Sequence, residues 1–482
     1  MQRSIFQNIS PLDHRYSLSE KDVFDALMPY LSEEASISAC VKAEIALIIA
    51  HLRDKGRLTE ALRAALIKLE TAITPEEVYA EEEKTRHNIR ALVNVLKTKL
   101  PEDVAPLAHL GATSVDILDT AFAWRVKKAT LDIALPLFAK LELLLCDIAE
   151  READTPQVGR THGQHAVPVT VGFAFAEYVA RAGKSIIRIR ELAADLRGKL
   201  AGAVGAYNAT ALLTRDPLRL EQFFLDEMDL LPSEHSTQLA EPEHILRLLL
   251  EFNVFFGIIA NLADDLRNLQ RSEIAEIRES FSSAQVGSST MPQKRNPWNS
   301  EHVKSMWKAF MPRVLTFFMD QISEHQRDLT NSASQRFIAE YITGLCMACE
   351  RMRGVLAGLA VDRENLMRNL RNGSASGMIR GGILAEPAYI LLAESGENGA
   401  HEYIRKITLA CEKEGLSFAA GLMREKEVFA KITAKLMETG VAKSEAEATA
   451  FFEHPERYNG LAAHKARSLA EKYRRLLKKW QN

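Results

Sequence analysis

Neither sign of charge dominates this chain: 61 Lys and Arg stand against 64 Asp and Glu in 482 residues, a net charge of −3. That balance excludes the basic footprint of a nucleic-acid binder, so an anionic ligand must be held by a few placed cations. Cysteine is scarce, at 40, 146, 346, 349 and 411 only. An odd, scattered set does not make a disulfide framework. Cys346 and Cys349 form one C-x-x-C, but no second pair or nearby histidine completes a zinc site. Two small residues on one buried helix face is the simpler reading. No metal or cofactor is implied elsewhere, because no ligand cluster of the required spacing occurs. Met1 to Tyr16 lacks the apolar core of a signal peptide. No uninterrupted apolar run has the length to cross a membrane. The expectation is a cytoplasmic protein that binds neither membrane nor nucleic acid.

Proline is sparse as well. None falls between Pro168 and Pro217, Pro242 and Pro292, or Pro312 and Pro387, which leaves room for long helices. Leu248, Leu249, Phe252, Phe255, Phe256, Ile259, Leu262, Ala263, Leu266 and Leu269 recur in steps of three and four, one helical stripe. Leu118, Ala121, Phe122, Val126 and Ala129 repeat the spacing, as do Ile186, Ile189, Leu192, Ala193 and Leu196. Strand-like alternation is hard to find; Val167–Val171, which contains Pro168, is the best candidate. The reading is all-α, with about five long helices between about residues 112 and 364. The Leu248–Ile259 stretch is too apolar for one bundle, which points to an oligomer. Residues 1–111 form an N-terminal helical domain broken at Thr74-Pro75 and Leu100-Pro101. Residues 112–364 form the central bundle and 365–482 a C-terminal helical domain. Its basic end, Lys465 to Lys479, reads as a solvated helix face rather than an RNA-binding arm.

The chemistry concentrates in Gly287-Ser288-Ser289-Thr290-Met291-Pro292-Gln293-Lys294-Arg295-Asn296-Pro297. Glycine, serine and proline make it a loop, yet Lys294, Arg295 and Asn296 are anion-binding donors. Two further Gly-punctuated segments carry histidine beside hydroxyls: His109 to Asp116, and Gly159 to Ala166 with His162. The loop resembles the signature of the aspartase/fumarase superfamily, G-S-S-x-M-P-x-K-x-N-P, at every fixed position. The other two segments resemble the remaining superfamily regions. The resemblance implies a three-domain helical fold whose long helices join four subunits in a homotetramer, with active sites shared between subunits. It also implies β-elimination of fumarate. Ser288 would be the base and His162 the general acid, whose near-neutral pKa class suits the task. Lys294 and Asn296 would stabilise the aci-carboxylate, and Glu301 would orient His162.

Within the superfamily the chain is similar to the adenylosuccinate lyases. Arg15-Tyr16 matches their N-terminal phosphate-binding pair. Thr85-Arg86-His87-Asn88 matches their T-R-H-D, which contacts substrate and makes His87 a second candidate acid. Thr113-Ser114 matches a carboxylate-binding pair, and Gln238 lies in their S-T-Q. Arg327, Ser332 and Arg336 match the stretch that completes the nucleotide phosphate site. The resemblance runs from about residue 10 to about residue 340 and is weaker beyond. It implies a small nucleotide substrate, either adenylosuccinate or the succinyl-carboxamide ribotide of purine synthesis. Asn88 stands where most of the family has Asp. Gln293 stands where many have His, a form shared with argininosuccinate lyases. The alternatives are an argininosuccinate lyase, a carboxymuconate cycloisomerase, or a non-catalytic helical scaffold. The first two leave Arg15, Arg327 and Arg336 without a common phosphate, and the third leaves Ser288, Lys294 and His162 without a task.

Overall fold

The computed structural model describes residues 4–281, 287–328, 330–372 and 379–479; Leu329, in the Arg327–Thr330 stretch, lies outside them. Helices dominate. An apolar helix, Glu33–Asp54 (α1), precedes Pro75–Thr85 (α2) and Asn88–Lys99 (α3). Ser114–Lys128 (α4) continues through a wider π-helical segment, Ala129–Ala134, into Leu135–Arg151 (α5). Strands Pro156–Thr161 (β1) and Gln164–Thr170 (β2) lead into Val171–Ala194 (α6) and then Glu243–Leu269 (α7). The short strand Ile277–Arg278 (β3) precedes Trp298–Phe310 (α8) and Ile338–Ala357 (α9), and Ala360–Val361 (β4) pairs back with β3. The C-terminal part closes on Ala462–Lys478 (α10).

The chain divides into two compact units. The first comprises Met1–Lys140, Lys184–Ala260 and His302–Met352; the second comprises Leu141–Gly183, Asn261–Glu301 and Arg353–Asn482. Each change of unit falls within one of the long helices α5 to α9. The stripes expected from spacing are largely buried, although Leu118 and Phe122 on α4 are only half-buried. Leu248 to Leu266 on α7 and Ile186 to Ala193 on α6 are buried at every named position, as is Leu196 just past α6, whereas Leu269 is only half-buried. In the first unit, the rings of Phe138 and Phe255 meet at 4.4 Å between centroids. Cys346 and Cys349 are wholly buried on α9, and all five cysteines are free thiols.

Three features differ from expectation or refine it. Strand structure extends well beyond Val167–Val171, because β2 begins at Gln164 and pairs antiparallel with β1. The polar run Gln157 to Thr161 conceals β1 from a hydrophobicity pattern; its partners come from tertiary packing. Second, by length and composition Lys21–Asp54 and Glu243–Leu269 are apolar enough to cross a membrane, contrary to the expectation drawn from uninterrupted runs. Most of each window is buried within the protein, 83% and 56%, as core helices are. Third, α10 is not simply a solvated basic face. It buries Ala466, Ala470, Tyr473 and Leu477. Its Arg474 pairs with Asp147 and Glu150 at 2.8 Å each, and its Arg467 with Asp154. Acidic neighbours thus take up part of the positive charge.

The breaks in the N-terminal segment have local causes. Thr74 and Glu77 form a reciprocal capping box ahead of Pro75, which starts α2 where proline is tolerated. In the first unit a single acid then organises the start of α4. Asp116 is fully buried, forms an ion pair with the equally buried Lys199, and accepts the amides of Thr113 at 2.8 Å and Ala201 at 3.1 Å. Removing one partner of a buried pair leaves an uncompensated charge. Lys199→Met is therefore expected to cost about 3–5 kcal/mol, read as a lower midpoint in denaturant unfolding. An unchanged midpoint would show that the amides alone satisfy Asp116.

Candidate active site

His162 occupies the tip of the β1–β2 hairpin. His162 and Gly163 both have positive φ, +53° and +73°, the pair that a two-residue type I′ turn demands. The left-handed region is unfavourable for a residue with a Cβ, so the arms of the hairpin must impose it. They are firmly held. Gly159 lies at a bulge, where a Cβ would meet the Val167 carbonyl oxygen at 2.6 Å. Arg160 forms a two-pronged pair with Glu276 at 3.0 and 2.6 Å. Gln157 and Asn369 donate amides to the same carboxylate at 2.9 and 2.8 Å. Glu276 is completely buried. The imidazole of His162 thus stands exposed on a fixed stalk. His165 turns inward instead. Burial lowers its pKa, the charge of Arg160 adds to that, and its Nδ1 has no partner among the described residues. Of the two histidines, the geometry suits His162 to proton transfer.

The Ser288 loop is internally cross-braced. Ser288 Oγ accepts the amides of Met291 at 3.0 Å and Thr290 at 3.3 Å. Asn296 Nδ2 donates to the Gly287 carbonyl at 3.1 Å, and the Lys294 amide to the Met291 carbonyl at 3.0 Å. A Cβ on Gly287 would overlap the Lys294 carbonyl oxygen, so glycine is required by this approach. Two amides on one hydroxyl oxygen favour its anionic form. Lys294 is exposed, and among the described residues it forms no ion pair. With Asn296, Arg267, Arg271 and Glu301 it lines an open cleft of about 480 Å³. Glu301 lies in the first turn of α8. His162 and Glu301 share no hydrogen bond within the chain, among the described residues.

The remaining candidates lie in the first unit. Thr113 caps α4 and Ser114 is its first residue. Just upstream, His109 has φ +61° and is pinned by buried Glu44, which accepts its amide at 2.9 Å and its Nδ1 at 2.6 Å. Arg86, with φ +55°, ends α2, and His87 caps α3 by accepting the Arg90 amide on Nδ1 at 3.3 Å. That bond places the proton of the neutral ring on Nε2. Asn88 Oδ1 accepts the Ile89 amide at 2.8 Å. Gln238 and Arg327, 89 residues apart, are brought together at 3.0 Å. Tyr16 OH meets His302 Nε2 at 2.9 Å. Burial lowers the His302 pKa, and the charges of Arg351 and Arg15 lower it further. Arg15, Ser332 and Arg336 are exposed; no hydrogen bond joins them to one another among the described residues.

The supporting acids Glu44, Glu276 and Glu279, with Gln270 and His302, were not among the residues singled out from sequence. Only Glu44 carried a signal: a carboxylate amid the apolar run Ala43 to Ile49 needs a buried partner. Among the described residues no cluster of three or more acids, histidines and cysteines could hold a metal.

The chain matches the Lyase family over residues 22–310 and the description "Adenylosuccinate lyase C-terminal" over residues 323–443. The adenylosuccinate lyase of Pyrococcus abyssi is 32% identical over 430 residues, 88% of this chain and 92% of that protein. That of Archaeoglobus fulgidus is 31% identical over 424 residues, 87% and 91%. Among solved structures, a fumarate lyase from Mesorhizobium sp. BNC1 superposes with TM-score 0.78 at 22% identity, covering 93% of this chain and 97% of that one. The 3-carboxy-cis,cis-muconate lactonizing enzyme of Pseudomonas putida gives 0.77 at 23%, with 94% and 97% coverage. At such identities these two structures speak for the fold alone.

Beside Gln238 and Arg327, Asp119 accepts the Ala240 amide at 3.0 Å. Burial pushes its carboxyl up to about 6, against the pull of that amide and of Lys199 and Arg327. The folded protein therefore holds this proton more tightly than the unfolded chain. The stabilising contribution is full below about pH 4 and is lost as pH rises to about 6. Asp119→Asn is expected to flatten the fall in unfolding free energy across that window; identical slopes in variant and parent would contradict it.

Proposed function

The chain belongs to the adenylosuccinate lyase family, and from that premise we propose that it eliminates fumarate from adenylosuccinate to give AMP, and from the succinyl-carboxamide ribotide to give the carboxamide ribotide. It is a fumarate-releasing carbon–nitrogen lyase. The observation that carries the mechanism is the Ser288 hydroxyl, whose oxygen accepts two backbone amides in a loop that also bears Lys294 and Asn296. A serine hydroxyl is intrinsically a poor base, and such donors are what it needs.

In this reading Ser288 Oγ takes the proton from the carbon next to a succinyl carboxylate. The electron pair moves into the aci-carboxylate, whose second negative charge Lys294 and Asn296 offset. Collapse of that dianion forms the C=C bond and breaks the C–N bond, and His162 protonates the departing nitrogen. Glu301 orients His162. Thr113 and Ser114, at the N-terminus of α4, offer hydroxyls and the helix dipole that a carboxylate favours. Arg15, Tyr16, Arg327, Ser332 and Arg336 take the phosphate, for which convergent arginines are apt. Gln238, Arg86, His87 and Asn88 contact the rest of the nucleotide. With its Nδ1 committed to the helix cap, His87 serves as an Nε2–H donor.

The same proposal includes a homotetramer in the cytoplasm with shared active sites, and domains at 1–111, 112–364 and 365–482. Three observations support the assembly and location. Among the described residues of one chain, His162 and Glu301 share no hydrogen bond. Phe173 on α6 and Val254 on α7 are 38% and 53% exposed. All five cysteines are buried and unbridged, as suits a reducing compartment.

Incubation with adenylosuccinate, followed in the ultraviolet, is expected to yield AMP and fumarate. Ser288→Ala should lower kcat by about 100-fold or more. No turnover by the parent enzyme would sink the substrate assignment. Mixed tetramers of Ser288→Ala and His162→Gln subunits should recover part of the activity, since some sites receive both intact residues. A mixture as inactive as its components would contradict shared sites.

A further inference from the structure

The segments before and after the Ser288 loop meet at one side chain. Glu279 directly follows the short strand β3 ahead of the loop, and α8 begins just after the loop. The Glu279 carboxylate spans this opening. Its Oε1 accepts the amide and hydroxyl of Ser300 at 2.8 and 2.5 Å, and its Oε2 accepts the amide and Nδ2 of Asn299 at 3.3 and 3.0 Å. These amides belong to the first turn of α8, which has no intrahelical acceptors for them and favours a negative charge. Ser300 is fully buried, so the anchor point is part of the core.

A second strut runs beside the first. Gln270, just past α7, accepts the Glu279 amide on Oε1 at 2.9 Å and donates Nε2 to the Arg295 carbonyl at 3.3 Å. Glu279 and Gln270 therefore tie the stem before the loop to its far end, between Lys294 and Asn296. The inner part of the loop is already braced from Gly287 to Asn296. Such a braced unit on a fixed stem transmits the stem's position to Ser288 Oγ and Lys294 Nζ. Glu301, in the same first turn of α8, is placed by the same carboxylate.

We infer that Glu279, with Gln270 as its strut, is a positioning residue for the elimination: it fixes the loop that bears Ser288, Lys294 and Asn296 without touching substrate. The inference rests on the roles proposed above for those three residues. A misplacement of about 1 Å at a reacting group costs on the order of 100-fold in rate, and supporting hydrogen bonds to a site are typically worth about 10- to 100-fold.

Glu279→Gln keeps the shape but removes the charge and turns donors toward the Asn299 donors. Two readouts are taken on the full-length protein: steady-state kinetics with adenylosuccinate, and amide hydrogen exchange across residues 287–297. The expected result is a kcat lower by about 10- to 100-fold with KM near that of the parent, and faster exchange in the loop. A parent-like kcat overturns the inference, as does unchanged loop exchange accompanied only by a lower melting temperature. Should this variant fail to fold, Gln270→Ala carries the same two readouts. Absence of turnover by the parent enzyme would overturn the assigned reaction instead, and the exchange measurement would still decide the clamp.

Discussion

A carboxylate that accepts several N–H groups at once is the interaction on which the polar parts of this structure depend. Glu44 takes the amide and ring nitrogen of His109. Asp116 takes Lys199 and the amides that open α4. Glu276 gathers Arg160, Gln157 and Asn369. Glu279 gathers Asn299 and Ser300. The first three acids are fully buried and the fourth half-buried. A turn cannot satisfy its own backbone groups as a helix does, and a buried charge is tolerable only where donors replace its water. Each need answers the other, and the result is a turn whose geometry is set by the core.

These turns carry backbone strain as well. Arg86, His109 and His162 adopt the left-handed conformation, and so does His325 beside the Arg327 stretch. Such conformations persist where surrounding contacts over-determine them. At His162 the over-determination is visible in the Gly159 bulge and the Arg160–Glu276 pair. The strained residue is thereby pointed outward from a hairpin that cannot relax around it. Preorganisation of this kind is what an elimination through a short-lived dianion requires, because donors already in place need no reorganisation as charge develops.

The candidates also divide by chemistry. Those proposed for proton transfer and for the dianion (Ser288, His162, Lys294, Asn296, Glu301) fall in one compact unit. Those proposed for the phosphate and carboxylates fall in the other. A division of this sort suits a fold in which the nucleotide-holding segments can vary while the elimination chemistry stays constant. The departure at Asn88 fits that pattern, whereas Gln293 lies in the unit of the elimination residues. Asn88 keeps an amide at the start of α3, and Gln293 lines the cleft beside Lys294.

Much was determined by the sequence alone. Apolar spacing and missing prolines specify long helices because a helix stripe has a period that chain chemistry cannot disguise. The Gly-Ser-Ser loop, the His162 and Thr113 segments and the scattered arginines mark the candidate site because their side-chain types have few other uses in such density. Only the tertiary structure decided the rest. β1 is polar and invisible to periodicity, so pairing had to reveal it. Gln238 and Arg327 meet across 89 residues, and no local pattern encodes such a meeting. Apart from Glu44, the supporting acids were hidden for the same reason: a glutamate reads as a surface charge until its donors, supplied by distant segments, are seen to enclose it. Chain chemistry selects which groups can react, whereas long-range packing sets where they are held.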